Sequence, residues 1–416
     1  SALDEDDINV KAGLVYRLKD DVEEISNIRL GYTGRFVDDS FKATEYNLTV
    51  EHASDFPSLD GFLLDDYYNR DNLSSGWFKI QKNVDKYTVT KNIHSAYAEA
   101  TYQFTSRWIV NLGLKYDYVD INVDYNVNRG GSEGSNTIRK DYFLPSLNLK
   151  YNLNEKHSLR LGASKTYTLP QAKEISPYRY VGVNFNSQGN PNLKPSDNYN
   201  FDLKWDFNPS PTELVSLTAF YKHIKDPISR IEVASAGGYL SYENISDRAI
   251  VAGVEVEIRK NLFVRPLSSA ANGMNKLSFG LNGSYIYTNA KMPLATVTTG
   301  SQLEGAAPWI ANFDLSHHFT RDERSFVNTL VLNYVSDKIY TIGTQGYQDI
   351  MERGLVTLDF VSQARLNKYL SLNLKARNLL NPSHKLSRKA NESGEKVVLG
   401  DYKKGINISL GVSCTL

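Results

Sequence analysis

The chain has 416 residues, with 47 basic and 47 acidic side chains and so no net formal charge. That balance argues against nucleic acid as the main partner, because such binders usually carry a clustered basic surplus. The single cysteine, Cys414, excludes an internal disulfide and any multi-cysteine metal site; on its apolar face it reads as a small inert hydrophobe.

Aromatics make up 12% of the chain, with 27 Tyr and 17 Phe, and turn residues recur throughout, which points to an all-β class. No run of about 18 apolar residues occurs, so no transmembrane helix is expected. A mean hydropathy of −0.41 is compatible with a membrane barrel, in which half the positions of each strand face a polar lumen.

Taken in chain order, alternation predicts about 15 strands. They fall near 8–18, 27–36, 86–104, 107–121, 138–152, 157–168, 197–208, 213–224, 240–260, 275–289, 303–319, 325–338, 352–366, 369–380 and 400–416. In the fourth, Trp108, Val110, Leu112, Leu114, Tyr116 and Tyr118 oppose Asn111, Gly113, Lys115 and Asp117. In the seventh, Phe201, Leu203, Trp205 and Phe207 oppose Asp202, Lys204 and Asp206; in the ninth, Val254, Val256 and Ile258 oppose Glu255, Glu257 and Arg259. In the fourteenth, Leu370, Leu372, Leu374 and Ala376 oppose Ser371, Asn373, Lys375 and Arg377. The last sorts Ile406, Ile408, Leu410, Val412, Cys414 and Leu416 from Asn407, Ser409, Gly411, Ser413 and Thr415. A helix would scatter both sets around its axis; only a strand sorts them.

A soluble sandwich also alternates, but aromatic placement favours a membrane barrel. Trp108 and Tyr118 share one face and stand roughly 23 Å apart along the membrane normal, at about 3.3 Å per residue and a tilt near 45°. An apolar band about 25 Å tall with aromatic girdles at both rims is the expectation for such a barrel. Connections also alternate in length. Short turns are expected at Thr105–Ser106, Asn152–Lys156, Asn208–Thr212, Thr320–Arg324 and Asn367–Lys368, with a mid-length one at Asn261–Asn275. Between them lie long polar segments at Phe36–Lys82, Asn122–Ile138, Thr168–Asp197, Asp226–Gly238, Asn289–Gln302, Lys338–Glu352 and Asn381–Leu399. Short periplasmic turns and long outer loops produce that parity. An odd strand number ending at the periplasm makes the first strand run downward, so the chain is expected to lack its beginning and to be unable to close a barrel alone.

Several segments then resemble one family in order and spacing: GNPNLKPS (Gly189–Ser196) ahead of a strand at Tyr199, LTAFYKHIKDPI (Leu217–Ile228), GVEVEI (Gly253–Ile258), APWIANFDL (Ala307–Leu315), LVTLDF (Leu355–Phe360) and ARNLLNPSHKL (Ala376–Leu386). The chain is similar to the C-terminal barrel portion of TonB-dependent receptors from about Ala96 onward, with Leu14–Arg35 fitting more loosely. The resemblance implies a plugged barrel of about 22 strands, of which residues 1–416 would form the last 15 or so as one β-barrel domain without a plug domain. It implies a multi-pass protein of a Gram-negative outer membrane, partnered by membrane lipid, a plug domain, a TonB-type energy-coupling protein and a nutrient ligand. The ligand could be siderophore-like, a glycan or a peptide. Leu416 departs from the aromatic residue common at the end of such barrels. Receptors for haem in the family carry a His before the NPNL element, and none lies between Thr168 and Asn192.

The long segments hold the candidate ligand-binding residues: Tyr67, Tyr68 and Trp77 in the first, and Tyr178, Arg179, Tyr180 and Phe185 in the third. Aromatic side chains with Arg offer contact area at low entropy cost; the alternative is that they pack the loops together. Asp202, Lys204, Asp206, Glu255, Glu257, Arg259, Lys375 and Arg377 are expected to face the lumen, guiding solute or holding a plug, or simply forming a mutually paired wall. The acidic run Asp4–Asp7 lacks a full calcium loop, and His317 and His318 point to opposite faces of a strand, so no metal or cofactor is expected. No nucleophile elbow, phosphate loop or HExxH motif occurs, and no enzyme activity is expected. An energy-coupled importer is the leading reading; the alternative is a passive porin-like diffusion channel of about 16 strands, and an outer-membrane enzyme or adhesin is a third class.

Overall fold

The computed structural model describes residues 2–18, 26–50, 68–128, 132–234, 238–267, 273–291, 302–344, 346–390 and 394–415. The chain begins with β1 (Ala2–Arg17), β2 (Asn27–Val50), the short helix α1 (Arg70–Ser74), β3 (Phe78–Gln103), β4 (Trp108–Val127), β5 (Ser132–Asn152) and β6 (His157–Thr168). There follow α2 (Ala172–Ile175), β7 (Arg179–Val181), β8 (Asn186–Gln188), β9 (Ser196–Ser210), β10 (Glu213–Lys225), β11 (Ile228–Val233) and β12 (Tyr239–Asn244). Next come β13 (Arg248–Pro266), β14 (Gly273–Ala290), β15 (Trp309–Arg321), β16 (Arg324–Val335), β17 (Lys338–Thr341) and β18 (Ile350–Glu352). The last are β19 (Leu355–Arg365), β20 (Leu370–Arg377), β21 (Ser383–Lys389), β22 (Lys396–Lys403) and β23 (Asn407–Cys414).

One 15-stranded sheet takes β1 to β6, β9, β10, β13 to β16, β19, β20 and β23 in chain order. Each wall strand pairs antiparallel with the next, an up-and-down meander. Among the described residues β1 and β23 each have one neighbour, so the sheet is open at both edges. Interior strands satisfy their backbone donors and acceptors through the ladder, the condition for crossing hydrocarbon.

Register aligns the apolar residues into continuous rows. Ile28, Ala100, Leu112, Leu147, Ala163 and Phe201 are successive partners across six strands. Leu112, Leu203, Val254, Leu332 and Ile408 are all exposed, as a surface solvated by lipid must be. Below the row, Trp108 stacks on Tyr151 with ring centroids 4.3 Å apart, and Trp205 and Phe207 lie against His157; above it stand Tyr116, Phe143, Tyr285 and Trp309. These are the two girdles.

The short turns are held by their own side chains. Thr105 Oγ1 accepts from the backbone N–H groups of Arg107 and Trp108, Asn154 Oδ1 from Lys156 and His157, and Asn367 Oδ1 from Tyr369 and Leu370. Such local bonds favour turns over strand continuation.

Several expected boundaries are corrected. The expected segment Phe36–Lys82 is mostly strand, since β2 runs to Val50 and β3 starts at Phe78. Likewise most of Asn122–Ile138 is strand, because β4 runs to Val127 and β5 starts at Ser132. The strands expected at 240–260, 303–319, 352–366 and 400–416 begin later in the wall, at Arg248, Trp309, Leu355 and Asn407. Three of them took in loop strands (β12, β18 and β22) that alternate just as wall strands do. A bulge at Asn261 extends β13 to Pro266, which shortens the Asn261–Asn275 connection to residues 267–272. Most of Asn289–Gln302, with Tyr67 and Leu416, lies outside the described residues.

Candidate functional site

β2 to β5 have 24, 26, 20 and 21 residues, roughly twice what a band about 25 Å tall requires. Their surplus changes character at a definite point. On β4 the lipid-face series Leu112, Leu114, Tyr116, Tyr118 continues as Asp120, Asn122, Asp124 and Asn126, while the lumen-face series Asn111, Gly113, Lys115, Asp117 continues as Val119, Ile121, Val123 and Tyr125. The strand is unbroken, but its apolar face changes sides at Tyr118. Above the band the outward face meets water and the inward face meets protein. Val119, Ile121 and Val123 are fully buried there, with Phe41, Tyr87, Val89 and Tyr142 from neighbouring strands.

What covers them is the connection from β6 to β9. Ile175, Leu193, Tyr178 and Tyr180 pack into the same cluster. α2 is held by a capping box in which Glu174 accepts from the Gln171 N–H at 2.8 Å. Gly189 follows it closely: a Cβ there would sit 2.6 Å from the Lys173 carbonyl oxygen and collide with that of Ser176, so only glycine fits. Asn190 then turns the chain by accepting from the Asn192 N–H at 3.0 Å and donates to the Tyr242 carbonyl at 2.9 Å. Asn136 donates to the Pro191 carbonyl, and Asn244 bonds the Lys194 backbone in both directions. The GNPNLKP segment is therefore a clamp that ties its own connection to β5 and to β12.

The remaining outer connections form a layer above this core. β11, β12, β8 and β7 make one four-stranded sheet, and β17, β18, β21 and β22 another. The two meet at a bridge between Ile231 and Ile342, where Glu232 N donates to the Ile342 carbonyl at 3.0 Å. Arg230 reinforces the seam. Its guanidinium lies 3.9 Å from the Tyr340 ring centroid, 3.0 Å from Glu304 and within hydrogen-bond distance of the Tyr340 carbonyl and Thr341. Arg388 pairs with Glu232 beside the Tyr347 ring. Burial pushes the carboxyls of Glu304, Glu174 and Asp349 above the usual carboxylate range, opposed in part by Arg230, Arg388 and backbone donors.

The expected ligand residues are divided by this arrangement. Tyr178 and Tyr180 lie inside the cap, with ring centroids 4.7 and 5.6 Å from Phe41, and the Tyr180 hydroxyl bonds that of Tyr87 at 2.6 Å. Tyr68 packs edge-on against Phe78, and Trp77 is exposed. Arg179 lies over the Tyr239 ring at 5.5 Å, and its buried Nε has no hydrogen-bond partner among the described residues. Phe185 faces Tyr340 at 6.3 Å. Phe185 and Tyr239 line a cavity of about 310 Å³ at the β7–β8 tip, with Asn184, Asn186 and Glu232. Sequence reasoning passed over Tyr239, Glu232 and Arg230, because nothing in their own segments shows that they meet residues as far as 156 positions away.

The expected lumen residues all lie on the face opposite the apolar band, and many pair there. Arg160 and Lys204 both approach Asp206 at 3.5 Å, Arg259 meets Glu257 at 2.9 Å, and Lys115 meets Asp117 at 2.9 Å. Asp202, Glu255, Lys375 and Arg377 have no ion pair among the described residues. No cluster of metal-ligating side chains occurs among the described residues.

The comparisons with known proteins agree with this architecture. The family description "TonB dependent receptor-like, beta-barrel" matches residues 2–379. An "Iron-regulated outer membrane virulence protein" of Vibrio cholerae is 25% identical over 228 residues, covering 52% of this chain and 32% of the relative. The structure titled "Copper transporter OprC" superposes with a TM-score of 0.64 at 13% identity, covering 99% of this chain and 57% of that one. The ferric yersiniabactin uptake receptor FyuA from Yersinia pestis gives 0.62 at 13% identity, covering 99% and 54%. The chain thus spans about a third of the length of this curated relative and little more than half of the two solved ones. With its girdled strands, outer loop layer and matching segments, the chain belongs to the TonB-dependent receptor β-barrel family, and its sheet is wall of a Gram-negative outer-membrane barrel.

Proposed function

We propose that the whole protein is a receptor for active uptake of a scarce nutrient, energised by a TonB-type coupling protein acting on a plug domain. The loop layer captures the ligand outside, and the paired polar wall of the lumen provides the surface against which the plug sits. The observation that carries the capture site is the 310 Å³ cavity lined by Phe185 and Tyr239, with Arg179 over the Tyr239 ring and its buried Nε without a hydrogen-bond partner among the described residues. Buried donors are ordinarily satisfied, so an anionic oxygen of the ligand is the natural acceptor. Phe185 contacts the ligand, and Tyr178 and Tyr180 hold the hairpin from beneath. A metal chelate of siderophore type suits a cavity of this size better than a long glycan or peptide, and the names of the relatives support that class.

The test is uptake of radiolabelled ferric siderophores by iron-starved cells expressing the full-length protein. Deleting residues 176–185, or replacing Arg179 with Ala, abolishes high-affinity uptake while the receptor stays at normal level in the outer membrane. Unchanged uptake would overturn the capture site. Uptake that persists without the coupling protein would mean passive diffusion instead.

A further inference from the structure

The outer part of the wall is split between β5 and β6. Their ladder stops at Ser146 and Ser164, although β5 extends up to Ser132 and β6 to Thr168. Above that point, among the described residues, β5 pairs only with β4 and β6 only with β9. The next residue up β5 is Pro145, which has no N–H to give to a ladder. Beyond it the Tyr142 ring stacks on that of Tyr167 with centroids 3.9 Å apart, and the Tyr167 hydroxyl donates to Asp117 at 2.8 Å. Rings stand where backbone bonds would otherwise close the seam.

Bond direction identifies the groups that the split leaves free. Asn152 N donates to the Arg107 carbonyl and Leu153 N to that of His157, so even residues of β5 bond towards β4 and odd ones towards β6. The backbone N–H and C=O groups of Thr137, Arg139, Asp141 and Phe143 therefore face the split, without a hydrogen bond among the described residues. Arg139 and Asp141 are exposed above the girdle, where water solvates this edge. An unpaired edge of this kind is a template for another strand.

Beside residues 136–140 the split widens into a cleft of about 570 Å³, with Asn192 to Pro195 of the clamp on its other side. Ile138 and Leu193, both packed in the cap core, close its floor. The cleft thus opens outward, away from the lumen, and what occupies it is docked rather than imported. The edge is also recessed, with β6 and β9 beside it, so a second barrel cannot approach and only a slender extended segment reaches it. Arg139, Lys140 and Lys194 line the cleft against one carboxylate, Asp226. Asp120 and Asp197 lie 3.2 Å from Arg139 and Lys140, whereas Lys194 is exposed and has no ion pair among the described residues. That surplus favours an acidic side chain.

We propose that the β5 edge from Thr137 to Phe143 receives, as an added strand, an extended acidic segment of a second protein at the cell surface. Its backbone pairs with the free groups of β5, and its carboxylate meets Lys194. Edge addition draws affinity from main-chain bonds and specificity from alternate side chains.

The test is hydrogen exchange of the full-length receptor in detergent, read at single amides, with a short synthetic peptide of alternating Thr and Val around one central Glu as the probe. The probe slows the odd amides of residues 137–143 and leaves the even ones, already bonded to β4, as they were. Methylating the probe's amides along the side that meets β5 weakens binding about tenfold or more, and Arg139→Pro about tenfold. The Arg139 N–H carries no bond within the wall, so proline is compatible with that edge position; should the variant not fold, the methylated probe on the unaltered receptor gives the same reading. Replacing the probe's Glu with Lys, or Lys194→Ser, weakens binding in the same direction. Undiminished binding of the methylated probe would overturn the proposal. So would odd amides that are already protected in the receptor alone, since another part of this chain would then fill the edge.

Discussion

The change of apolar face at Tyr118 makes a prediction that one strand can test by itself. Leu112 is 55% exposed and lies midway between Trp108 and Tyr116 on the lipid face, which places it near the centre of the band. Replacing it with Arg costs about 2–4 kcal/mol, the penalty for a cation at the midplane of a barrel wall. Asp124 occupies the same face of the same strand, but beyond the change of sides. Asp124→Arg therefore meets water and costs less than about 0.5 kcal/mol. Ile121, on the opposite face, is fully buried under the cap, and Ile121→Ala costs about 2–5 kcal/mol by loss of packing. Urea titration of the full-length protein folded into lipid vesicles, followed by tryptophan fluorescence, reads all three. A penalty for Asp124→Arg as large as that for Leu112→Arg would refute the reasoning, as would an Ile121→Ala variant as stable as the parent.

Three further predictions concern the loop layer. Gly189→Ala forces the chain away from the Lys173 and Ser176 carbonyls, so limited proteolysis on intact cells should cut residues 169–195 much faster at unchanged receptor level; an unaltered cleavage rate would show that the clamp tolerates a Cβ. Arg230→Ala removes the links to Glu304, Tyr340 and Thr341 and lowers the local opening free energy by about 2 kcal/mol; hydrogen exchange at the Glu232 and Ile342 amides reads it, and exchange equal to that of the parent refutes it. Because burial raises the Glu174, Glu304 and Asp349 carboxyls, the folded layer binds those protons more tightly than the unfolded chain. Its stability is greatest below the raised values and falls as pH climbs through them from the ordinary carboxylate range, so amide protection corrected for intrinsic rate should be higher at mildly acidic pH than at neutrality, and the opposite slope would refute this.

The wall was legible in the sequence because each strand carries its own instruction. Alternation sorts Leu112 from Gly113, or Leu410 from Ser409, without reference to any partner, and turn residues such as Thr105, Asn154 and Asn367 act through bonds to their own neighbours. Lipid imposes one rule on every crossing, so number, order and parity of the strands follow from local pattern. The sequence also contained the change of sides, Tyr118-Val119-Asp120-Ile121, but it reads as a strand that has ended, because the meaning of an apolar face depends on what covers it. That was decided by the tertiary structure: Ile121 faces inward only because Ile175 and Leu193 arrive from a connection 54 to 72 residues further on. The same holds for Tyr178 and Tyr180, which look like capture residues in isolation and lie in the cap interior in the fold, and for Arg230, which has no visible partner until Glu304 and Tyr340 are brought to it. Contacts between loops carry no period, since neither spacing nor alternation records which outer connection meets which once the wall has placed their ends at one rim.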